Sequence, residues 1–305
     1  MSFPTHQSLT QTAFGSDATA HLVAMPATVN PDDLLLVFFT NDDPAVTVTT
    51  PAGWTAIDSA AAVNSRTGLY AKKAVGDEDG GTVDFVTSSA KRASAQCCRI
   101  SGWFGDIANG IAFAAAGPFS TSSPDAPSLN PAAWDVEDVL WYAVTGRNRN
   151  DTNPPDVTSY PASYTGGTDT RAGGAATLEP WLASARRSLN AASENPGTFS
   201  IRNSASWIAY TIAIRPSLIA KAFTDDGAEG AESFSKIITI PKTYSDAGAE
   251  GAEVYTVGKL KAFTDAGAEG SEIYLLTKYK SFSDVGAEGS ELFSKTRLIN
   301  PVYLK

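Results

Sequence analysis

The stretch SWIAYTIAIR, residues 206–215, decides the fold class. Successive side chains of an extended chain point to opposite faces, and here one of the two faces is rich enough in apolar residues to require a core. This two-residue period predicts a β-strand. One face holds Ile208, Tyr210, Ile212 and Ile214, and the other holds Trp207, Ala209, Thr211 and Ala213.

Similar short apolar or alternating runs recur from about residue 32 to residue 216, separated by clusters of Gly, Pro, Asn, Asp and Ser. This spacing is typical of an all-β sandwich or barrel. The segment 178–193, LEPWLASARRSLNAAS, fits either an amphipathic helix or a pair of strands. The other predicted strands are 33–40, 45–50, 67–75, 81–88, 95–104, 110–116, 139–146 and 197–202.

A long polar segment, residues 147–175, interrupts this pattern with several Gly and Pro residues. Its composition offers little to a core, so we expect a surface excursion that is dispensable for folding and that either binds something or is passive.

Charge excludes one class of partner. The 305 residues include 23 Lys and Arg against 33 Asp and Glu, a formal net charge of −10. A phosphate backbone would be repelled by the average surface, so we expect no nucleic-acid partner. No apolar run is long enough for a membrane span. The N-terminal residues lack the basic and apolar regions of a secretory signal, so we expect the chain to fold in the cytosol of the cell that makes it.

Few residues are suited to catalysis. The only histidines are His6 and His21, and no nucleotide-binding, zinc-protease or paired CxxC motif is present. Cys97 and Cys98 are neighbours on a predicted strand and should point to opposite faces, so we expect packed thiols without a disulfide. We therefore predict no enzyme and no catalytic residues. The six tryptophans have two interpretations: they stack sugars at the surface, or they pack in a core. They are Trp54, Trp103, Trp134, Trp141, Trp181 and Trp207.

After Pro216 the sequence becomes a repeat array. Four copies of about 20 residues begin at Lys221, Lys242, Lys261 and Lys280, and each contains Gly-Ala-Glu-Gly between two aromatic residues. Each copy is nearly palindromic, which predicts a short β-hairpin with the glycines at its tip. We expect the aromatic residues to be buried between repeats or between chains, in a homotrimeric stalk. They are Phe223, Phe234, Tyr244, Tyr255, Phe263, Tyr274, Phe282 and Phe293.

The same hairpin register brings carboxylates opposite each other, and like charges in that position repel. Either a divalent cation such as calcium or lysines of a neighbouring repeat or chain would relieve the repulsion. The spacing matches neither an EF-hand loop nor the glycine-rich nonapeptide of calcium β-rolls, so a solvated acidic turn with no cofactor is the simpler interpretation. The pairs are Asp225 with Glu232, Asp246 with Glu253, Asp265 with Glu272, and Asp284 with Glu291.

Several segments of residues 20–216 together resemble a domain of virion proteins from tailed bacteriophages and their prophages. These proteins commonly have a Gly-Asp-Leu-Leu strand, a Pro-x-Gly-Trp-Thr turn, a Tyr-x-Lys-x-Ala strand, an acidic glycine turn and a closing strand ending in Arg-Pro. The corresponding residues are Asp33 to Leu35, Pro51 to Thr55, Tyr70 to Ala74, Asp77 to Gly81 and Ile208 to Pro216. Asp32 replaces the usual glycine.

The resemblance implies a jelly-roll-like antiparallel β-sandwich, residues 1–216, displayed on a phage particle, with the repeats in residues 217–305. We expect a structural protein of the tail fibre or tail tip that contacts other virion proteins and a host-surface glycan. A capsid decoration or head-fibre protein is the alternative within this class. A carbohydrate-binding adhesin and a glycan-degrading enzyme are the alternatives outside it.

Overall fold

The computed structural model describes residues 2–132, 134–149, 156–173, 179–217, 233–234, 242–248, 251–264, 273–286 and 289–293. The chain divides into two compact units, Met1–Ser217 and Leu218–Lys305. All strand pairs among the described residues are antiparallel, and the only described helix has four residues. The predicted all-β class is confirmed.

The first unit begins with nine strands, which we call the first half. They are β1 (Thr5–Ala18), β2 (Leu22–Ala24), β3 (Leu34–Asn41), β4 (Val48–Thr49), β5 (Thr55–Ala61), β6 (Arg66–Lys73), β7 (Thr82–Asp84), β8 (Val86–Thr87) and β9 (Lys91–Ser101).

A short helix, α1 (Ile107–Gly110), leads into the second half. Its strands are β10 (Ile111–Thr121), β11 (Asp125–Ala126), β12 (Glu137–Arg149), β13 (Val157–Ser159), β14 (Thr165–Arg171), β15 (Glu179–Ala191), β16 (Gly197–Thr198), β17 (Ser200–Ile201) and β18 (Ala205–Ile214).

Each half contributes one large sheet. The first sheet has the order β1-β9-β3-β6-β5, and the second has the order β10-β18-β12-β15-β14. Four two-stranded ribbons complete the unit: β2–β7, β4–β8, β11–β16 and β13–β17. No large sheet mixes strands of the two halves.

The two sheets pack face to face around an inner core of apolar residues. Gly146 marks their closest approach, because a Cβ at this position would lie 2.0 Å from Thr67 Oγ1 and 2.5 Å from Thr40 Oγ1. The inner core contains Leu34, Leu36, Phe38, Leu69, Cys98 and Ile100 of the first half, and Leu140, Tyr142, Val144, Leu182, Ile208, Tyr210, Ile212 and Ile214 of the second.

Each sheet has an outer core on its other face, beneath the ribbons of its own half. The first outer core includes Val23, Leu35, Val37, Phe39, Trp54, Tyr70, Phe85 and Cys97. The second includes Ala126, Ala143, Val157, Ala183, Phe199, Ile201, Trp207 and Ala209. Cys97 and Cys98 are free thiols that enter different cores, as the strand period predicts.

The segment 178–193 resolves to a strand, because β15 pairs with both β12 and β14. The expectation that 147–175 is a surface excursion is wrong for the described residues 147–149 and 156–173. Residues of this segment form the end of β12, β13 and β14, and Tyr160 and Tyr164 pack half-buried against the second outer core. Nothing in the sequence indicates that this segment belongs to the sheet, because its residues are mostly small and polar. They are held by strand pairing and ion pairs and show no apolar periodicity.

Six strands of the first unit were missed by the sequence analysis: β1 and β5 of the first sheet, β14 of the second, and the short strands β2, β11 and β13. β1 is mostly polar and half-exposed at an edge of the first sheet, and β5 begins directly after the Pro51 turn. The predicted strand 81–88 is divided into β7 and β8 around Phe85, which is fully buried.

Asp32 has a left-handed backbone, with φ of 69°. Glycine adopts this conformation without strain, whereas an aspartate there is strained. Here the Asp32 carboxylate pairs with Lys73 at 2.8 Å, and its carbonyl oxygen accepts a hydrogen bond from Trp103 Nε1 at 2.8 Å.

The described strands of the second unit form one sheet. They are β19 (Ser233–Phe234), β20 (Lys242–Gly248), β21 (Gly251–Thr264), β22 (Ile273–Gly286) and β23 (Gly289–Phe293). Strand β21 pairs with β19, β20 and β22, and β22 also pairs with β23.

Candidate functional site

The repeat residues singled out from the sequence fall partly on described strands. Phe223, Asp225, Glu232, Asp265 and Glu272 lie outside the described residues. The described ones are Phe234 on β19, Tyr244 and Asp246 on β20, Glu253, Tyr255 and Phe263 on β21, Tyr274, Phe282 and Asp284 on β22, and Glu291 and Phe293 on β23.

The backbone register brings residues of one type into rows across β20, β21, β22 and β23. The acidic row is Asp246, Glu253, Asp284 and Glu291, and the aromatic row is Tyr244, Tyr255, Phe282 and Phe293. Like charges directly opposite each other on neighbouring strands destabilise a sheet unless counter-charges lie nearby. Among the residues described in the first unit, no group of His, Cys, Asp or Glu is arranged to hold a metal ion.

The nearest approach to a nucleophile and base is in the inner core, where His6, Tyr142 and Cys98 form a chain. His6 Nδ1 lies 2.7 Å from Tyr142 Oη, and the tyrosine hydroxyl also interacts with the Cys98 thiol. Burial, and secondarily the Arg186 charge, lowers the pKa of His6 to about 4, while burial raises the pKa of Cys98 to about 12. Both groups therefore stay neutral near pH 7, and the tyrosine separates them. The arrangement suits packing better than nucleophilic catalysis.

His21 is fully buried in the first half, and both of its ring nitrogens face backbone carbonyl oxygens. Nδ1 lies 3.1 Å from the oxygen of Phe85, and Nε2 lies 2.9 Å from that of Lys91. The rings of Phe14 and Phe39 pack edge-on against the imidazole. Neither nitrogen is directed at solvent. His21 therefore links the segment between β7 and β8 to the start of β9, and its ring nitrogens are not open to a substrate.

The second half contains a buried charged cluster around Trp181. Arg147 and Asp156 form an ion pair in which both side chains are at most 2% exposed, and Arg171 pairs with buried Glu179. The two guanidinium groups lie against the Trp181 ring, with Cζ to centroid distances of 5.6 Å for Arg147 and 5.3 Å for Arg171. Sequence reasoning missed this cluster because its members are scattered over three strands and a loop.

A cavity of about 10 Å³ adjoins this cluster and is lined in part by Arg147, Asp169 and Trp181. It has room for about one water molecule, which is far too small for a sugar. Asp169 Oδ2 accepts hydrogen bonds from the backbone of Asp156 at 3.3 Å and Val157 at 3.4 Å, and burial raises the pKa of this carboxyl. The cluster fastens residues 156–173 to the second sheet.

A larger groove of about 410 Å³ opens at the surface between β5 and β10. Ile57, Ile107, Ile111 and Phe113 give it an apolar lining, and Asp106 supplies its one charged group. That carboxylate caps α1 by accepting from Ala108 N and Asn109 Nδ2, both at 2.9 Å, so it already has partners. The lining provides shape and apolar contact but no acid–base pair.

The tryptophans belong mainly to the cores. Five of the six are at most 8% exposed, and Trp134 packs partly buried beside the second sheet. The packing interpretation is therefore confirmed for Trp54, Trp103, Trp141, Trp181 and Trp207, which present no open ring face for a sugar.

Comparison with known proteins gave no relatives: no family model, curated protein or solved structure matches the chain. Within the described residues, no helix has the length and apolar character needed to cross a membrane.

Proposed function

We propose that the chain is a structural and adhesive virion protein of a tailed bacteriophage, associated with the tail fibre or tail tip. In this proposal residues 1–216 are a jelly-roll-like sandwich that contacts other virion proteins and a host-surface glycan. Residues 217–305 are a homotrimeric stalk of four β-hairpin repeats. The protein has no catalytic role.

The observation that carries the proposal is the pairing of like residues across the repeats. Tyr255 lies opposite both Tyr244 and Phe282, which belong to its own copy and to the fourth copy. Units that add strands edge to edge and cannot bury an apolar face alone are typical of extended assembly elements. The supporting features in the first unit are packed cores and turns held by backbone hydrogen bonds.

The jelly-roll interpretation has support in strand order. In the first half, the sheet order β1-β9-β3-β6-β5 makes the first and last strands neighbours, and ribbons β2–β7 and β4–β8 lie over the outer core, which supports a jelly-roll interpretation. The acidic glycine turn is a framework element: buried Glu78 accepts from the backbone of Val75 at 3.2 Å and Gly76 at 2.9 Å, and pairs with Lys72 at 2.8 Å.

Quantitative mass spectrometry of purified particles tests the location. We expect the chain in particles at a few to a few dozen copies, with a phage-encoded cytoplasmic enzyme as the contamination control. Hundreds of copies would instead assign it to the capsid, as a decoration or head-fibre protein. Absence from particles would refute a virion role.

A truncation tests the stalk. Deleting residues 221–305 should leave a folded sandwich that light scattering shows to be monomeric and that no longer enters particles. An unchanged oligomeric state together with normal incorporation would remove the stalk from the proposal. Release of reducing sugars from host polysaccharide by the full chain, abolished by one carboxylate substitution, would contradict the non-catalytic role.

A further inference from the structure

The two halves of the first unit have the same strand pairing. In the first half the pairs are β1–β9, β2–β7, β3–β6, β3–β9, β4–β8 and β5–β6. Adding nine to each number gives the pairs of the second half: β10–β18, β11–β16, β12–β15, β12–β18, β13–β17 and β14–β15. Two unrelated sequences would not be expected to repeat six pairings in the same order.

The turn before the fifth strand of each half is also the same. Pro51-Ala-Gly-Trp-Thr precedes β5, and Pro161-Ala-Ser-Tyr-Thr precedes β14. In each turn the fourth residue donates its N–H to the proline carbonyl, at 3.1 Å in the first half and 3.2 Å in the second. The third residue has positive φ in both, 79° at Gly53 and 66° at Ser163.

Ion pairs recur at corresponding places. Lys72 on β6 pairs with Glu78 in the following loop at 2.8 Å, and Arg187 on β15 pairs with Glu194 in the following loop at 3.0 Å.

A second ion pair joins the third and ninth strands of each half, with the second-half pair displaced by two residues in register. Asp33, just before β3, pairs with Arg99 on β9 at 2.5 Å. Glu137, which begins β12, pairs with Arg215, just after β18, also at 2.5 Å. A buried phenylalanine also separates two consecutive short strands in each half: Phe85 lies between β7 and β8, and Phe199 lies between β16 and β17.

We infer that residues 5–214 are two copies of one folding unit, and that the inner face of each sheet is an interaction surface whose partner is a second copy of that unit. The inner core has the composition of an interface between like subunits. Corresponding strands meet there: β3 and β12 supply Leu36 and Tyr142, and β9 and β18 supply Ile100 and Ile214.

Each copy keeps what it needs to fold. Every large sheet and ribbon of the first unit draws its strands from one half, and each half has its own outer core. Only the inner face depends on the other copy. A separated half should therefore keep its pairing and find a replacement partner in another copy of itself.

The test is a protease site inserted between Gly105 and Asp106 of the full chain, in the connection before α1. After cleavage, we expect the two pieces to remain a 1:1 complex in native buffer with unchanged circular dichroism. Separated in denaturant and refolded apart, residues 1–105 should regain β-structure and form a homodimer by light scattering. Mixing with the other piece should restore the 1:1 complex.

The matched control places the same site between Val63 and Asn64, both exposed in the β5–β6 turn. This cut divides the first sheet itself, so residues 1–63 should not regain β-structure after separation, whereas residues 64–305, which keep the whole second half, should regain it. If residues 1–105 stay unfolded, precipitate or remain monomeric after separation, the inference is wrong. Co-expression of residues 1–105 and 106–305 as two chains gives the same test without an insertion, and failure to recover a soluble 1:1 complex would also overturn it.

Discussion

The first and second halves use the same strand pairing but fill their outer cores with different chemistry. In the first half Phe85 contacts the rings of Phe39, Trp54 and Tyr70, with centroids 5.2 to 5.8 Å apart. In the second half Phe199 contacts one ring, that of Tyr160, at 5.9 Å. The remainder of the second outer core consists of Val157, Ile201, Trp207 and several alanines, and the charged cluster around Trp181 lies beside it.

The difference shows which part of the fold is constrained. Both inner faces must fit each other and remain apolar, whereas each outer core needs only to fit its own ribbons. Aromatic contacts are tolerant of small changes, but a buried ion pair leaves an uncompensated charge when one partner is lost. The two outer cores should therefore respond differently to substitution.

The largest effect is expected at the charged cluster. Arg147→Met removes the partner of fully buried Asp156 and should lower the free energy of unfolding by about 3 to 5 kcal/mol in urea denaturation. Adding Asp156→Leu should recover most of the loss. Lys73→Met, which breaks the exposed pair with Asp32, is the control and should cost under about 1 kcal/mol. Equal effects of Arg147→Met and Lys73→Met would show that the buried pair has no special role.

The aromatic cluster gives the next largest effect. Phe85→Leu should cost about 2 kcal/mol, because three ring contacts weaken around a shape that does not match. Phe199→Leu, at the corresponding place in the second half, should cost about 1 kcal/mol since it has one ring neighbour. Both losses in the free energy of unfolding are to be measured from urea midpoints at a constant m-value. A larger loss at Phe199 than at Phe85 would contradict the contrast between the outer cores.

The contact between His6 of the first half and Tyr142 of the second predicts acid sensitivity. The folded pKa of His6, about 4, lies below its ordinary value of 6.5, so the unfolded chain binds the extra proton. This contribution to stability is present above pH 6.5 and is lost as the pH falls to 4.

In urea titrations over that range, His6→Gln should flatten the pH dependence by about 1 kcal/mol, allowing for the partial exposure of the ring. Gln7→Ala, next to it on an exposed position, should leave the slope unchanged. A slope that persists in His6→Gln would assign the acid response to other groups.

The two equivalent turns allow a reciprocal exchange. Ser163→Gly removes strain from a left-handed residue and should stabilise the protein by about 1 kcal/mol, while Gly53→Ser should destabilise it by about the same amount. A Cβ at Gly53 would meet only Lys72, at 3.8 Å, so the cost is conformational rather than steric. If calorimetry shows the melting temperatures of Ser163→Gly and Gly53→Ser shifting in the same direction, the two turns are not equivalent.

The smallest effect is expected at Asp32. Asp32→Gly relieves the left-handed backbone but loses an exposed ion pair with Lys73, so a gain of about 0.5 kcal/mol is expected. Asp32→Ala keeps the strain and loses the pair, and should destabilise. A higher melting temperature for Asp32→Ala than for Asp32→Gly would show that the backbone conformation does not control stability at this position.

The sequence predicted the strands with strong apolar alternation, such as β18, and the opposite orientations of Cys97 and Cys98. It failed where tertiary contacts replace periodicity. The segment 156–173, which is only partly buried, is held to the second sheet through Asp169 and the ion pairs of Arg147 and Arg171, none of which has a local pattern. The duplication was missed because only its turns retain visible similarity, in PAGWT at 51–55 and PASYT at 161–165.

Because Cys97 and Cys98 lie in separate cores, the rate at which each thiol is labelled reports how often its core opens. Both thiols are fully buried, so a thiol-specific reagent reaches either one only after the surrounding core has opened. Cys98 reports separation of the two sheets, whereas Cys97 reports lifting of the ribbons from the first sheet. The ratio of the two labelling rates therefore measures which layer of the sandwich opens first, without any added label.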